Sequence, residues 1–285
     1  MSPVAALRRP LQEDLSGFVA LLRRLEVPHR VSEERDTQVL WVPAEALAEQ
    51  VRELYLRYPR GVAEEEVPTP VRPQRPGIAA HLRASPLTTA MLLLTLLVAL
   101  LSFGGSNFEV VRWLSFQDFQ IQGRYIHFQP WLETLHGGQW WRLFSPMLIH
   151  FGPLHLAMNA LWYWELGRRI EARQGGLVLL GLTLTFALLS NFAQYAHGGP
   201  SLFGGLSGVL YGLLGYCWIF RLLAPTPAYV LPRGVLAMML IWLVVCLTGV
   251  IDTLFGSIAN AAHVGGLLAG CAAGLVGGAL ARLRR

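Results

Sequence analysis

Phe203-Gly204-Gly205-Leu206-Ser207-Gly208-Val209-Leu210-Tyr211-Gly212, read with Ala262-His263-Val264-Gly265-Gly266, decides the fold of this 285-residue chain. Both stretches are glycine-rich and set in apolar runs long enough to lie in a membrane. Gly208, Gly212 and Gly215 lie on one helix face, as do Ala262, Gly266 and Gly270, and such faces let two helices approach closely. Taken alone, the serine motif also suits an ordinary packing helix in which Ser207 bonds a backbone carbonyl. His263 tips the reading, because an imidazole among apolar residues needs a partner. If the two faces meet, Ser207 and His263 pair as nucleophile and general base. Glycines before the serine, Gly205 among them, admit close backbone approach of a ligand, and a helix starting there turns its positive end toward a developing oxyanion. Tyr211, one turn on, is placed to stack on and orient the imidazole.

The remaining composition fits a membrane setting. Hydrophobic residues make up 53% of the chain, and the long apolar runs are confined to 86–280, while 1–83 is charged and mixed. By the roughly 20 apolar residues that a span requires, six segments qualify: 87–103, 148–166, 176–196, 206–222, 234–251 and 258–280. Arginines gather before the first (Arg72, Arg75, Arg83), after the second (Arg168, Arg169, Arg173), between the fourth and fifth (Arg221, Arg233) and at the end (Arg282, Arg284, Arg285). That pattern puts both termini in the cytoplasm. The first 17 residues already carry Arg8, Arg9, Glu13 and Asp14, so they do not read as a cleavable leader. The net charge of +5 does not argue for nucleic acid, since all 23 basic residues are arginine and many flank apolar segments as topology signals. Cys217, Cys246 and Cys271 form an odd set without CxxC spacing, which argues against a disulfide framework.

Ahead of the spans, Leu11, Leu15, Phe18, Leu22 and Leu25 recur at helical spacing, and 27–32 and 38–42 read as strands around a polar turn. Pro43 suits the first turn of a second helix with Leu47, Val51, Leu54 and Tyr58 on its apolar face. The expected domains are therefore an α/β module at 1–58, a proline-rich linker at 59–85 and a membrane domain at 86–285. The fold class is an all-α polytopic membrane protein, a six-transmembrane-helix bundle with a small N-terminal cytoplasmic α/β domain. Between the first two spans, eight aromatic residues from Trp113 to Trp141 with Arg112, Arg124 and Arg142 predict a structured element in the outer interface.

A third cluster opens the second span: His150, His155 and Asn159. His155 and Asn159 are four apart on one helix face, where both can donate hydrogen bonds to a carbonyl oxygen gaining charge. The spacing is wrong for HExxH and carboxylates are absent nearby, so a metal is not expected. A polar network that only glues helices together is the plainer alternative.

These three motifs, His150-x4-His155-x3-Asn159, Gly205-Leu206-Ser207-Gly208 and Ala262-His263-Val264-Gly265-Gly266, occur in the order that resembles the rhomboid family of intramembrane serine proteases, bacterial GlpG type. The resemblance covers 87–280, and the small module with its tether is similar to that type's cytoplasmic domain. It implies Ser207 as nucleophile, His263 as base, an oxyanion hole of His155, Asn159 and the Ser207 N–H, and support from His150, Tyr211 and Gly205. It further implies a dyad without an acid, so Asp252 is not expected to act. Implied too are lateral access between the second and fifth spans near Met158 and Trp242, no cofactor, and single-pass transmembrane proteins as substrates. The bacterial inner membrane and its lipid would be the setting; no motif fixes an oligomeric state. Gln139 stands where the family has Glu in Glu-x-Trp-Arg, which removes an ion pair from Arg142 and predicts a less stable loop. Two rivals remain: an inactive client-binding relative, expected to lack the serine or histidine, and a proton relay through His150, His155 and His263, which would want intramembrane carboxylates.

Overall fold

The computed structural model describes residues 3–34, 36–61, 78–232, 234–251 and 257–284. The chain divides into two compact units, Met1–Arg75 and Pro76–Arg285. In the first, β1 (Val4–Pro10), α1 (Ser16–Arg24), β2 (Arg30–Glu34), β3 (Thr37–Val42) and α2 (Glu45–Arg57) form an antiparallel sheet of order β1-β3-β2 with two helices. Phe18, Leu22, Leu40, Ala48 and Val51 fill its core, and the Phe18 ring meets Tyr55 edge-on.

Several local expectations shift. β1 was not anticipated: a bulge between Ala5 and Leu7 turns both Ala6 and Leu7 inward, which erases the alternation that marks a strand. α1 begins at Ser16, whose N–H donates to Asp14, so Leu11 falls outside it and is exposed. β2 starts three residues later than expected, past Pro28, which has no N–H to pair. Pro43 precedes α2 rather than opening it, and the buried face is Ala48, Val51 and Tyr55, with Tyr58 exposed.

Of the expected linker, 62–77 lies outside the described residues, as do Arg233, Asp252 and Arg285. Residues 78–84 form a short helix, α3 (Ile78–Ala84). The second unit continues with α4 (Pro86–Leu101), α5 (Phe108–Leu114), a hairpin of β4 (Phe119–Gln122) and β5 (Tyr125–Phe128), and α6 (Trp131–His136). Two 3-10 turns, Trp140–Leu143 and Ser145–Leu148, lead into α7 (Pro153–Gln174). Then come α8 (Gly176–Gly198), α9 (Ser207–Leu223), α10 (Val235–Leu247) and α11 (Asn260–Leu283). By length and composition α8 and α11 suffice to cross a membrane, whereas α4, α9 and α10 are apolar but shorter.

The second expected span is displaced. Pro153 starts α7 after Gly152, at φ +101°, so 148–152 is not α-helical. The helix instead runs on to Gln174 through a charged stretch in which Glu165 pairs with Arg168 and Arg169. One turn later Glu171 accepts the N–H groups of Leu87 and Thr88 at 2.7 and 2.8 Å and the Thr88 hydroxyl at 2.7 Å. A carboxylate from α7 thus caps α4, whose own Ser85 makes no capping bond. At the centre stands α9, with eleven of its 17 residues buried, so the other helices are arranged around it. It meets α11 backbone to backbone: a Cβ on Gly266 would lie 2.0 Å from the Gly208 carbonyl oxygen, and one on Gly270 1.9 Å from that of Gly212.

Candidate active site

α9 carries Ser207 at its first position and α11 carries His263 in its first turn. Since the helices touch at Gly208 and Gly266, one residue past the serine and three past the histidine, Ser207 Oγ and His263 Nε2 stand 2.7 Å apart. His263 is 5% exposed, and its Nδ1 has no hydrogen-bond partner among the described residues. Packing orients the ring instead: Tyr211 lies 5.0 Å away between centroids, and its hydroxyl donates to the Met239 carbonyl of α10 at 3.0 Å. Gln194 of α8 accepts the Ala262 N–H at 3.2 Å and so anchors the start of α11.

The segment before Ser207 rests on the second 3-10 turn. Gly205 donates its N–H to the Pro146 carbonyl at 3.0 Å and adopts φ +118°, a conformation open to glycine and strained for other residues. A Cβ there would lie 2.8 Å from His155 Nε2 and 3.7 Å from Asn159 Nδ2. Both α7 side chains therefore converge on the backbone two residues ahead of the serine. His155 Nδ1 accepts the Phe151 N–H at 3.4 Å, which leaves Nε2 to carry the proton. Asn159 spends one amide hydrogen on the His155 carbonyl at 2.9 Å and keeps a second. His150 is fully buried; its Nδ1 faces the Leu148 carbonyl at 3.1 Å, and its Nε2 accepts the Leu206 N–H at 3.4 Å. Its ring also packs 4.9 Å from that of His155.

Ser207, His263, His155, Asn159, His150, Tyr211 and Gly205 thus gather in one region. Met158 and Trp242 are half exposed, on α7 and α10 respectively. Among the described residues no three His, Cys, Asp or Glu side chains converge as a metal would need. Sequence reasoning passed over Gln194 and also Asn191, which donates to the Leu143 carbonyl at 2.9 Å. The signal was available: an amide side chain in an apolar helix needs a partner.

Comparison with known proteins agrees with this architecture. Residues 137–279 match the rhomboid domain and residues 1–69 the rhomboid N-terminal domain. The chain is 39% identical over 188 residues to the rhomboid protease GlpG of Serratia proteamaculans (strain 568), a stretch that covers 66% of this chain. It spans about 61% of the length of that curated relative. The chain belongs to the rhomboid family of membrane proteins. Its pairing of the family's N-terminal domain with the rhomboid domain is the layout of the bacterial GlpG type.

Proposed function

We propose that this protein is an intramembrane serine endopeptidase that cleaves transmembrane segments of single-pass membrane proteins through a Ser207–His263 dyad. The observation that carries the reading is the 2.7 Å contact between Oγ and Nε2 at the mouth of α9. Ser207 Oγ attacks the scissile carbonyl as His263 Nε2 takes its proton. The oxyanion is held by His155 Nε2–H, the free Asn159 amide hydrogen and the Ser207 N–H, one of the orphan donors at the helix start. His263 returns the proton to the leaving amine, and water hydrolyses the acyl-enzyme. Burial of the imidazole, packing by Tyr211 and an Nδ1 without a described partner fit a dyad rather than a triad.

The six spans take α4, α7, α8, α9, α10 and α11, with both termini in the cytoplasm of a bacterial inner membrane and lipid around the bundle. Substrate comes in laterally between α7 and α10, past Met158 and Trp242, as a locally unwound segment, because an intact helix keeps its carbonyls in its own ladder. The test is cleavage of a single-pass reporter by reconstituted wild type, Ser207→Ala and His263→Ala, with fluorophosphonate labelling as a second readout. Cleavage by wild type and silence in both folded variants is expected. Cleavage that survives in Ser207→Ala sinks the assignment.

A further inference from the structure

Arg142 is a guanidinium buried in a loop, with its side chain 4% exposed. Its Nε donates to Gln139 at 2.5 Å, and other donors reach the carbonyls of Arg112 and, at 3.0 Å, Ser115. All of these acceptors are neutral. Taking a charge out of water is costly, and neutral acceptors offset that cost only in part. The carboxylate acting on Arg142 is Asp118, 3.5 Å from its NH2. Asp118 lies nearer Arg112, at 2.7 and 3.2 Å, but Arg112 is more than a third exposed and water already solvates it. The need for a counter-ion therefore rests with Arg142. Burial works against the Asp118 carboxylate, yet hydrogen bonds from Arg112 and the Phe119 N–H, with the fields of both arginines, hold it below its ordinary range. Asp118 also accepts the Gln129 N–H on its carbonyl, closing the hairpin base.

From Arg142 the chain leads directly under the serine. Arg142 belongs to the first 3-10 turn, and Leu143 accepts from Asn191 of α8. Ser145 donates to the Leu114 carbonyl at 2.6 Å, and Pro146 accepts the Gly205 N–H. Gly204 leaves no slack, since a Cβ on it would lie 2.8 Å from Ile149 Cβ. We infer that Asp118 is a positioning residue for catalysis: as counter-ion of Arg142 it fixes the paired 3-10 turns, and these hold Gly205 and hence Ser207. It takes the place of a carboxylate at position 139, where this chain has the neutral Gln139. The inference rests on the protease reading.

The test compares wild type, Asp118→Asn and the double variant Asp118→Asn/Gln139→Glu in reconstituted vesicles, with kcat, KM, fluorophosphonate labelling rate and Tm measured for each. Asp118→Asn should lower kcat about tenfold or more with KM within about twofold, the signature of a misplaced reacting group. Restoring a carboxylate beside Arg142 in the double variant should bring kcat back to within about threefold of wild type. A kcat unchanged in Asp118→Asn overturns the inference, and so does a double variant that recovers Tm but not kcat. Wild type that neither cleaves nor labels overturns the protease reading itself and the positioning role with it.

Discussion

The two helices nearest the Ser207–His263 contact, α11 and α10, differ sharply in how they are held. α11 meets α9 through glycines so close that no Cβ fits between them. α10 buries only Met239, Leu243 and Cys246 of its 13 residues and leaves Ile241, Trp242 and Val244 exposed. Its described ties to the site are slender: the Tyr211 hydroxyl on Met239, and Asn260 donating to the Cys246 carbonyl at 3.0 Å. Under the proposed function, chemistry that needs fixed distances falls on the seam, and a passage for a bulky segment falls beside the element with least to lose.

That contrast can be broken at either helix. The largest effect is expected from Gly266→Val, which drives methyl groups into the Gly208 carbonyl and should cost about 3 kcal/mol, a Tm drop of roughly 6–12 °C, with labelling of Ser207 lost. A variant that melts with wild type would mean the seam is softer than its spacing implies. A smaller effect follows from Tyr211→Phe, which removes the hydroxyl's bond to the Met239 carbonyl and should cost about 1 kcal/mol. Hydrogen exchange ought to quicken in α10 and stay unchanged in α9 and α11; equal quickening in all three would erase the distinction. Least of all, Trp242→Ala should move stability by no more than about 0.5 kcal/mol while raising kcat/KM for the reporter. A fall in kcat/KM at unchanged stability would point substrate access away from α10.

How much could be read in advance follows the range of the interactions involved. Gly208, Gly212, Gly266 and Gly270 announce the seam because small residues at four-residue steps are a local pattern. The pairing of His155 with Asn159 was legible for the same reason, being set by spacing on one helix, whereas His150 precedes α7 and joins them through its contacts with Leu206 and the His155 ring. The start and end of α7 were not legible, since Gly152 and Pro153 reset its beginning and ion pairs carry it through charges that look like a terminus. Glu171 capping α4, Gln194 anchoring α11 and Asp118 beside Arg142 link residues distant in sequence, 84, 68 and 24 positions apart. No periodicity records such links. The carboxylate that position 139 lacks stands instead at Asp118, where neighbouring residues give no sign of it, and β1 hid behind its bulge.

Where side chains separate two helices, their spacing drifts with every change of volume, and a catalytic distance has to be re-established by compensating changes. At Gly208 against Gly266 and Gly212 against Gly270 nothing variable lies between the chains. The gap between Oγ and Nε2 is then gauged by the thickness of the peptide backbone itself, a dimension common to all sequences. The outward faces of these helices and the soluble module can then change without altering the spacing of Ser207 and His263.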